Sequence, residues 1–137
     1  MCGFLGQFGG RISDDMHDEL RRLLYLSKSR GPDETQVFSN HEDLWFGFNR
    51  LAILDTSLAG SQPMHSHRRR YTIVFNGEVY NHIELRDKLN FNNWRGHSDT
   101  ETILECIEEW GFEKTLDRLD GMFALAVYDN TEKSLLC

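Results

Sequence analysis

Cys2 is the first residue in this chain able to act as a nucleophile, and its position can give it a base of its own. A thiol reacts as the thiolate, so a proton acceptor must lie beside it. Once Met1 is removed, the α-amine of Cys2, with a reference pKa of about 7.7–8.0, is such an acceptor. Cys2 and Gly3 are both small, which suits removal of Met1 by an aminopeptidase. Taken alone, the plainer reading of Cys2 is the stronger one, a small buried residue opening a strand. Asn76-Gly77 closes the aromatic and β-branched stretch 71–75. There an amide side chain and a backbone N–H can point at one spot and form an oxyanion hole for acyl transfer, each donor worth about 3–4 kcal/mol. The competing reading is a hairpin turn, because Asn-Gly takes positive φ cheaply. Arg50 interrupts an apolar run that includes Phe46, Phe48, Leu51 and Ile53. It needs either a carboxylate held bidentately or open water at a sheet edge. Asp99 sits in the first turn of a capped helix, where it can hold an ammonium group or simply complement the helix dipole.

Other chemistries find little support. His65-Ser66-His67 has no HExxH pattern and no further ligand in register, so no metal is expected. No phosphate loop, GxSxG elbow or dinucleotide fingerprint occurs. The formal net charge of -7 argues against nucleic acid as a partner. The basic run Arg68-Arg69-Arg70 reads as a solvated loop in preference to a phosphate or partner patch. No apolar run is long enough to span a bilayer, and the first residues lack a basic region ahead of an apolar one, so neither membrane nor secretion is expected. The cysteines, Cys2, Cys106 and Cys137, are odd in number and irregularly spaced. They form no disulfide framework, and a reducing, cytoplasmic setting is expected.

The elements that must position these residues are legible in outline. At 137 residues with 39% hydrophobic content, the chain has room for one domain. Residues 2–8 suit a short strand, and Ser13 can cap a helix over 14–28 with Leu20, Leu23, Leu24 and Ser27 on one face. The stretch 30–34 breaks that helix. Strands are predicted at 35–39, at 44–54, where Leu44, Phe46 and Phe48 alternate with Trp45, Gly47 and Asn49, and at 71–75. A loop covers 60–67. Capping-box spacing recurs at Asn81–Glu84, ahead of a helix to 89, and at Ser98–Glu101, ahead of a helix to 110 with Ile103, Leu104 and Ile107 as its apolar stripe. A short helix at 112–119, a strand at 122–128, a turn at 130–133 and the start of a strand at 134–137 complete a mixed α+β layered order.

Seven short motifs, in order along the whole chain, resemble the class II glutamine amidotransferases, and most of all the asparagine synthetase type. They are Met1-Cys2-Gly3-Phe4-Leu5-Gly6, Arg30-Gly31-Pro32-Asp33, Asn49-Arg50-Leu51-Ala52-Ile53-Leu54-Asp55, Gly60-Ser61-Gln62-Pro63-Met64, Phe75-Asn76-Gly77-Glu78-Val79-Tyr80-Asn81, Ser98-Asp99-Thr100-Glu101 and Asp120-Gly121-Met122-Phe123-Ala124. Where that family has histidine just before the strand arginine, this chain has Phe48-Asn49.

The resemblance implies a four-layer αββα N-terminal-nucleophile hydrolase sandwich, incomplete at its C-terminus, with residues 1–137 forming a truncated glutaminase domain and the synthetase domain absent. It implies that Cys2 attacks the side-chain amide of glutamine, that Asn76 and Gly77 hold the oxyanion, that Arg50 takes the α-carboxylate and Asp99 the α-ammonium, and that Glu78 helps to fix the amine. It implies no cofactor for this half-reaction. ATP and Mg are expected only in the absent synthetase domain or subunit, which receives the ammonia. The alternative is a non-catalytic relic of the same fold that binds glutamine or a partner without turnover.

Overall fold

The computed structural model describes residues 2–137. The expectation that Met1 is removed therefore concerns a residue outside the described ones. Alternation along two central strands sets the architecture. In β3 (Leu44–Arg50) every residue is buried, so both of its faces are covered. Leu44, Phe46 and Phe48 pack with Val74, Ala126 and Tyr128 of the second sheet. Trp45, on the opposite face, packs with Ile12, Leu20 and Leu24. In β5 (Tyr71–Val79), Tyr71, Ile73 and Phe75 face a core built with Leu85, Ile103, Leu104 and Ile107. Period-two alternation in two strands thus generates three cores, and three cores separate four layers.

The first layer is α1 (Asp14–Leu26), capped by Ser13, whose hydroxyl accepts from the Met16 N–H at 3.2 Å. Below it lies a sheet ordered β1-β3-β2, with β1 at Gly3–Phe8 and β2 at Glu34–Ser39. The second sheet is ordered β4-β5-β6-β7, with β4 at Met64–His65, β6 at Gly121–Asp129 and β7 at Ser134–Leu136. All pairings are antiparallel. The last layer holds α2 (His82–Arg86), α3 (Asp99–Trp110) and α4 (Phe112–Leu116). This is the αββα order the motifs imply.

Several expectations change in detail. Helix α1 stops at Leu26 and a 3-10 turn covers Lys28–Arg30. Leu23 is exposed, and only Leu20 and Leu24 of the helix are fully buried. The strand predicted over 44–54 ends at Arg50, because the Asp33 carboxylate takes the Ala52 N–H at 2.9 Å and draws the chain out of the sheet. The loop predicted over 60–67 contains the short strand β4. Helices α2 and α4 are shorter than predicted. Asn81 does not cap α2. Its amide donates to Arg118 O at 2.8 Å and accepts from the Asp120 N–H at 3.0 Å, tying α2 to the start of β6. Ser98 does cap α3, accepting from the Glu101 N–H. The exposed 68–70 loop carries one ordered contact of note, Arg70 paired with Asp129 at 2.8 Å.

Asn76-Gly77 is the largest correction. It is no turn, because β5 runs through it to Val79, with Asn76 opposite Ala124 and Gly77 opposite Phe123. The glycine serves close approach, not positive φ. A Cβ built on Gly77 would lie 2.3 Å from Met122 O.

Candidate active site

The residues singled out by their chemistry converge. Cys2, Arg50, Asn76, Gly77, Glu78 and Asp99 all line one cavity of about 530 Å³. Its walls come from the end of β3, the middle of β5, the start of β6 and the first turn of α3.

Cys2 opens β1 beside the segment that leaves β3. Its half-buried sulfur accepts the Leu51 N–H at 3.2 Å. The thiol in turn faces Leu51 O at 3.6 Å, so both main-chain groups of Leu51 hold the sulfur in place. The main chain of Cys2 is held too, since Arg30 Nε donates to Cys2 O at 3.2 Å. Gly31 then lets this turn lie against β3, where a Cβ would fall 2.2 Å from Asn49 O.

Arg50 is the last residue of the central strand of its sheet, and its side chain is 8% exposed. That disposes of the solvent-facing edge reading. Its partners are internal. Nη1 meets Glu34 Oε2 at 3.2 Å and Ser57 O at 2.9 Å, and Nη2 donates to Asp55 O. A guanidinium carries five N–H groups. Nε has no hydrogen-bond partner among the described residues, so donor capacity remains for a ligand. Burial would raise the Glu34 carboxyl, but hydrogen bonds from Gln36, Ser61 and Arg50 outweigh it and hold Glu34 ionised below its usual range.

Asp99 is 4% exposed. Its oxygens accept the Val79 N–H at 3.0 Å and the Thr100 N–H at 2.8 Å. Burial nonetheless wins over these donors and raises its pKa. A buried carboxylate without a cationic partner is costly, and an incoming ammonium removes that cost. Asn76 and Glu78 differ from Asp99 in having side chains with no hydrogen-bond partner among the described residues, Asn76 half-buried and Glu78 exposed.

Sequence reasoning missed three supports. Gln62 inserts its amide beside β5, accepting from Phe75 N at 2.6 Å and donating to Phe75 O at 3.1 Å, so that a side chain extends the ladder just ahead of β4. Asn49, where the family has its histidine nearby, donates to Leu24 O at 2.8 Å and accepts from Thr35 Oγ1 at 2.8 Å, fixing the end of α1 on the sheet. Asp55 receives three hydrogen bonds at the cavity rim. Gln62 and Asp55 lie within recognisable motifs, but no local spacing signals what they touch.

A cysteine at the head of the first strand, two antiparallel sheets between helical layers and a cavity at their edge define an N-terminal-nucleophile type of sandwich. The chain belongs to the glutamine amidotransferase domain family, whose profile matches residues 1–137. It is 37% identical over 139 aligned residues to a glutamine-hydrolysing asparagine synthetase of Arabidopsis thaliana, covering 99% of this chain and 23% of that protein. It is 40% identical over 132 residues to the glutamine-hydrolysing asparagine synthetase of Asparagus officinalis, covering 94% of this chain and 22% of that protein. The chain thus spans somewhat less than a quarter of the length of these relatives.

Proposed function

We propose that this domain hydrolyses glutamine to glutamate and ammonia through a thioester on Cys2, and that the ammonia feeds an ATP-dependent amidation of the asparagine synthetase kind on another domain or subunit. The observation that carries the reading is the gathering of Cys2, Arg50 and Asp99 on one cavity. A thiol, a cation and a carboxylate are what an amino-acid zwitterion with a reactive side-chain amide requires.

In this reading the Cys2 sulfur attacks the amide carbonyl carbon while the Cys2 α-amine takes the thiol proton. The oxyanion is held by the free Asn76 amide and the Gly77 N–H. Collapse of the tetrahedral intermediate breaks the C–N bond, and the amine returns its proton to the departing ammonia. Water then hydrolyses the thioester and releases glutamate. Arg50 binds the α-carboxylate and Asp99 the α-ammonium, with Glu78 beside it. ATP and Mg belong to the acceptor half-reaction, outside this cavity. The three cysteines are free, which supports a reducing, cytoplasmic setting, and no helix among the described residues is long and apolar enough to cross a membrane.

Intact-mass analysis before and after treatment with a glutamine-mimicking alkylator tests this. The expected protein lacks Met1 and gains one adduct, mapped to Cys2. Cys106 should stay unmodified, because burial pushes its thiol up to about 12. An adduct on Cys106 or Cys137 in place of Cys2 defeats the assignment. Glutamine binding without any adduct would select the non-catalytic alternative.

A further inference from the structure

We propose that Asp55 is a positioning residue that fixes the separation between Arg50 and Asp99, and that it thereby makes the cavity selective for a small zwitterionic α-amino acid. The inference rests on the glutaminase reading and deepens it.

Arg50 and Asp99 come from different layers, one ending a strand of the first sheet and the other starting a helix beyond the second. Two chains of contacts join them. One runs from Arg50 Nη1 to Ser61 Oγ at 3.4 Å and from the adjoining Gln62 to Thr100 Oγ1 at 3.2 Å. The other, which alone reaches the segment ahead of the helix cap, runs through Asp55. Arg50 Nη2 donates to Asp55 O, and Arg50 Nη1 donates to Ser57 O at 2.9 Å. The Asp55 carboxylate then closes the link at both ends. Oδ1 accepts the Ser57 N–H at 2.9 Å and the Ser57 hydroxyl at 2.6 Å, which shapes the turn that grips the guanidinium. Oδ2 accepts the His97 N–H at 2.8 Å. His97 adjoins Ser98, the cap of the helix whose first residue is Asp99. Among the described residues, the His97 bond is the only hydrogen bond between segments 51–61 and 95–98.

The surrounding residues fit this role. A Cβ on Gly60 would fall 2.4 Å from Arg50 Nη2, and one on Gly96 would fall 2.3 Å from Asp55 Oδ2. Both glycines leave room for contacts that any side chain would displace. Three donors face one side chain, and a carboxylate is the group that offers two oxygens and no hydrogens. Asparagine would turn an NH₂ toward either Ser57 or His97 and break one end of the link. Two charges must be matched at once by a zwitterion, so their spacing is the selective feature. An error of about 1 Å in such a placement can cost roughly 100-fold.

The test compares glutamine with glutaramic acid, which is glutamine without its α-amine, in ammonia-release assays on wild type, Asp55→Asn and Gly96→Ala. Wild type should prefer glutamine. Asp55→Asn should raise KM for glutamine roughly 10- to 100-fold, with a much smaller change in kcat. KM for glutaramic acid, which engages Arg50 without Asp99, should change far less, so the preference collapses. Gly96→Ala, which pushes on Asp55 Oδ2 and leaves the carboxylate in place chemically, should show the same signature and carries the test if Asp55→Asn does not fold. An active wild type whose two variants keep the preference overturns the role of Asp55 alone. So does an equal loss on both substrates, which would mark general damage to the fold. A wild type that neither hydrolyses nor binds glutamine overturns the glutaminase reading as well.

Discussion

At the scale of single residues the proposed chemistry turns on a sulfur held between backbone groups. The Leu51 N–H meets Cys2 Sγ at 3.2 Å, while Arg30 secures the Cys2 carbonyl. Cys2→Ala keeps the Arg30 bond to the main chain and loses only the sulfur's weak contacts with Leu51, so the melting temperature should fall only slightly. The substitution should reduce glutamine-dependent ammonia release to background, and turnover at the wild-type rate would rule the assignment out. Cys2 and Arg50 were legible in the sequence because each is an odd residue type for its place, a nucleophile at a terminus and a charge in an apolar run, whereas Asp99 is ordinary in a capped first turn and drew a definite binding role only from the family resemblance. Asp55 and Gln62 were not legible. Their partners, His97 and Phe75, lie 42 and 13 positions away, and nothing in the local pattern announces a contact made only once the sheets have stacked. The reading of Arg50 as a free carboxylate clamp was incomplete for the same reason, since Glu34, its ion-pair partner, arrives from the neighbouring strand.

At the scale of elements, β5 and α3 carry the cavity and two side chains hold them in place. Gln62 serves both hydrogen-bonding groups of Phe75. Gln62→Leu would leave that buried N–H and C=O unserved, and should cost about 2–4 kcal/mol in chemical denaturation. An effect under about 0.5 kcal/mol would mean that water or β4 replaces the amide. Ser98→Ala should cost about 1 kcal/mol through the lost cap, and because the cap adjoins Asp99 it should also raise KM for glutamine. Unchanged KM would show that Asp99 is placed by its own bonds to Val79 and Thr100 alone. Strand and helix types were readable from periodicity, whereas their ends were set by tertiary contacts. The sequence dipeptide Asn76-Gly77 resembles a turn. It stays in the strand because Gly77 meets Met122 O at a distance no side chain allows, an effect of the facing strand and not of the dipeptide.

At the scale of the whole molecule, the ionisable groups fall into two sets with opposite pH behaviour. Burial would raise the carboxyls of Asp55 and Asp129, but Ser57 and His97 in one case and Arg70 in the other hold them below their usual range. Such groups bind fewer protons folded than unfolded, so their stabilisation is present above pH ~4 and is lost as pH falls through their lowered values. Asp99 and Glu105 are the reverse, both raised by burial. They bind more protons folded than unfolded, so what they contribute is present at low pH and is lost as pH rises through their raised values. Each tenfold difference in proton affinity between the folded and unfolded chain is worth about 1.4 kcal/mol. Asparagine does not titrate. The melting temperature of wild type minus that of Asp99→Asn should therefore be larger at pH ~4 than at pH ~7. If its ammonium pairs with the ionised Asp99 as proposed, saturating glutamine should stabilise wild type more than the variant at pH ~7 and so offset much of that decline. Paired thermal scans at the two pH values, with and without glutamine, measure both effects. A wild-type advantage that grows with pH in the absence of ligand would mean that Asp99 is already well solvated or paired. The cost of its burial would then not be what the substrate's ammonium relieves.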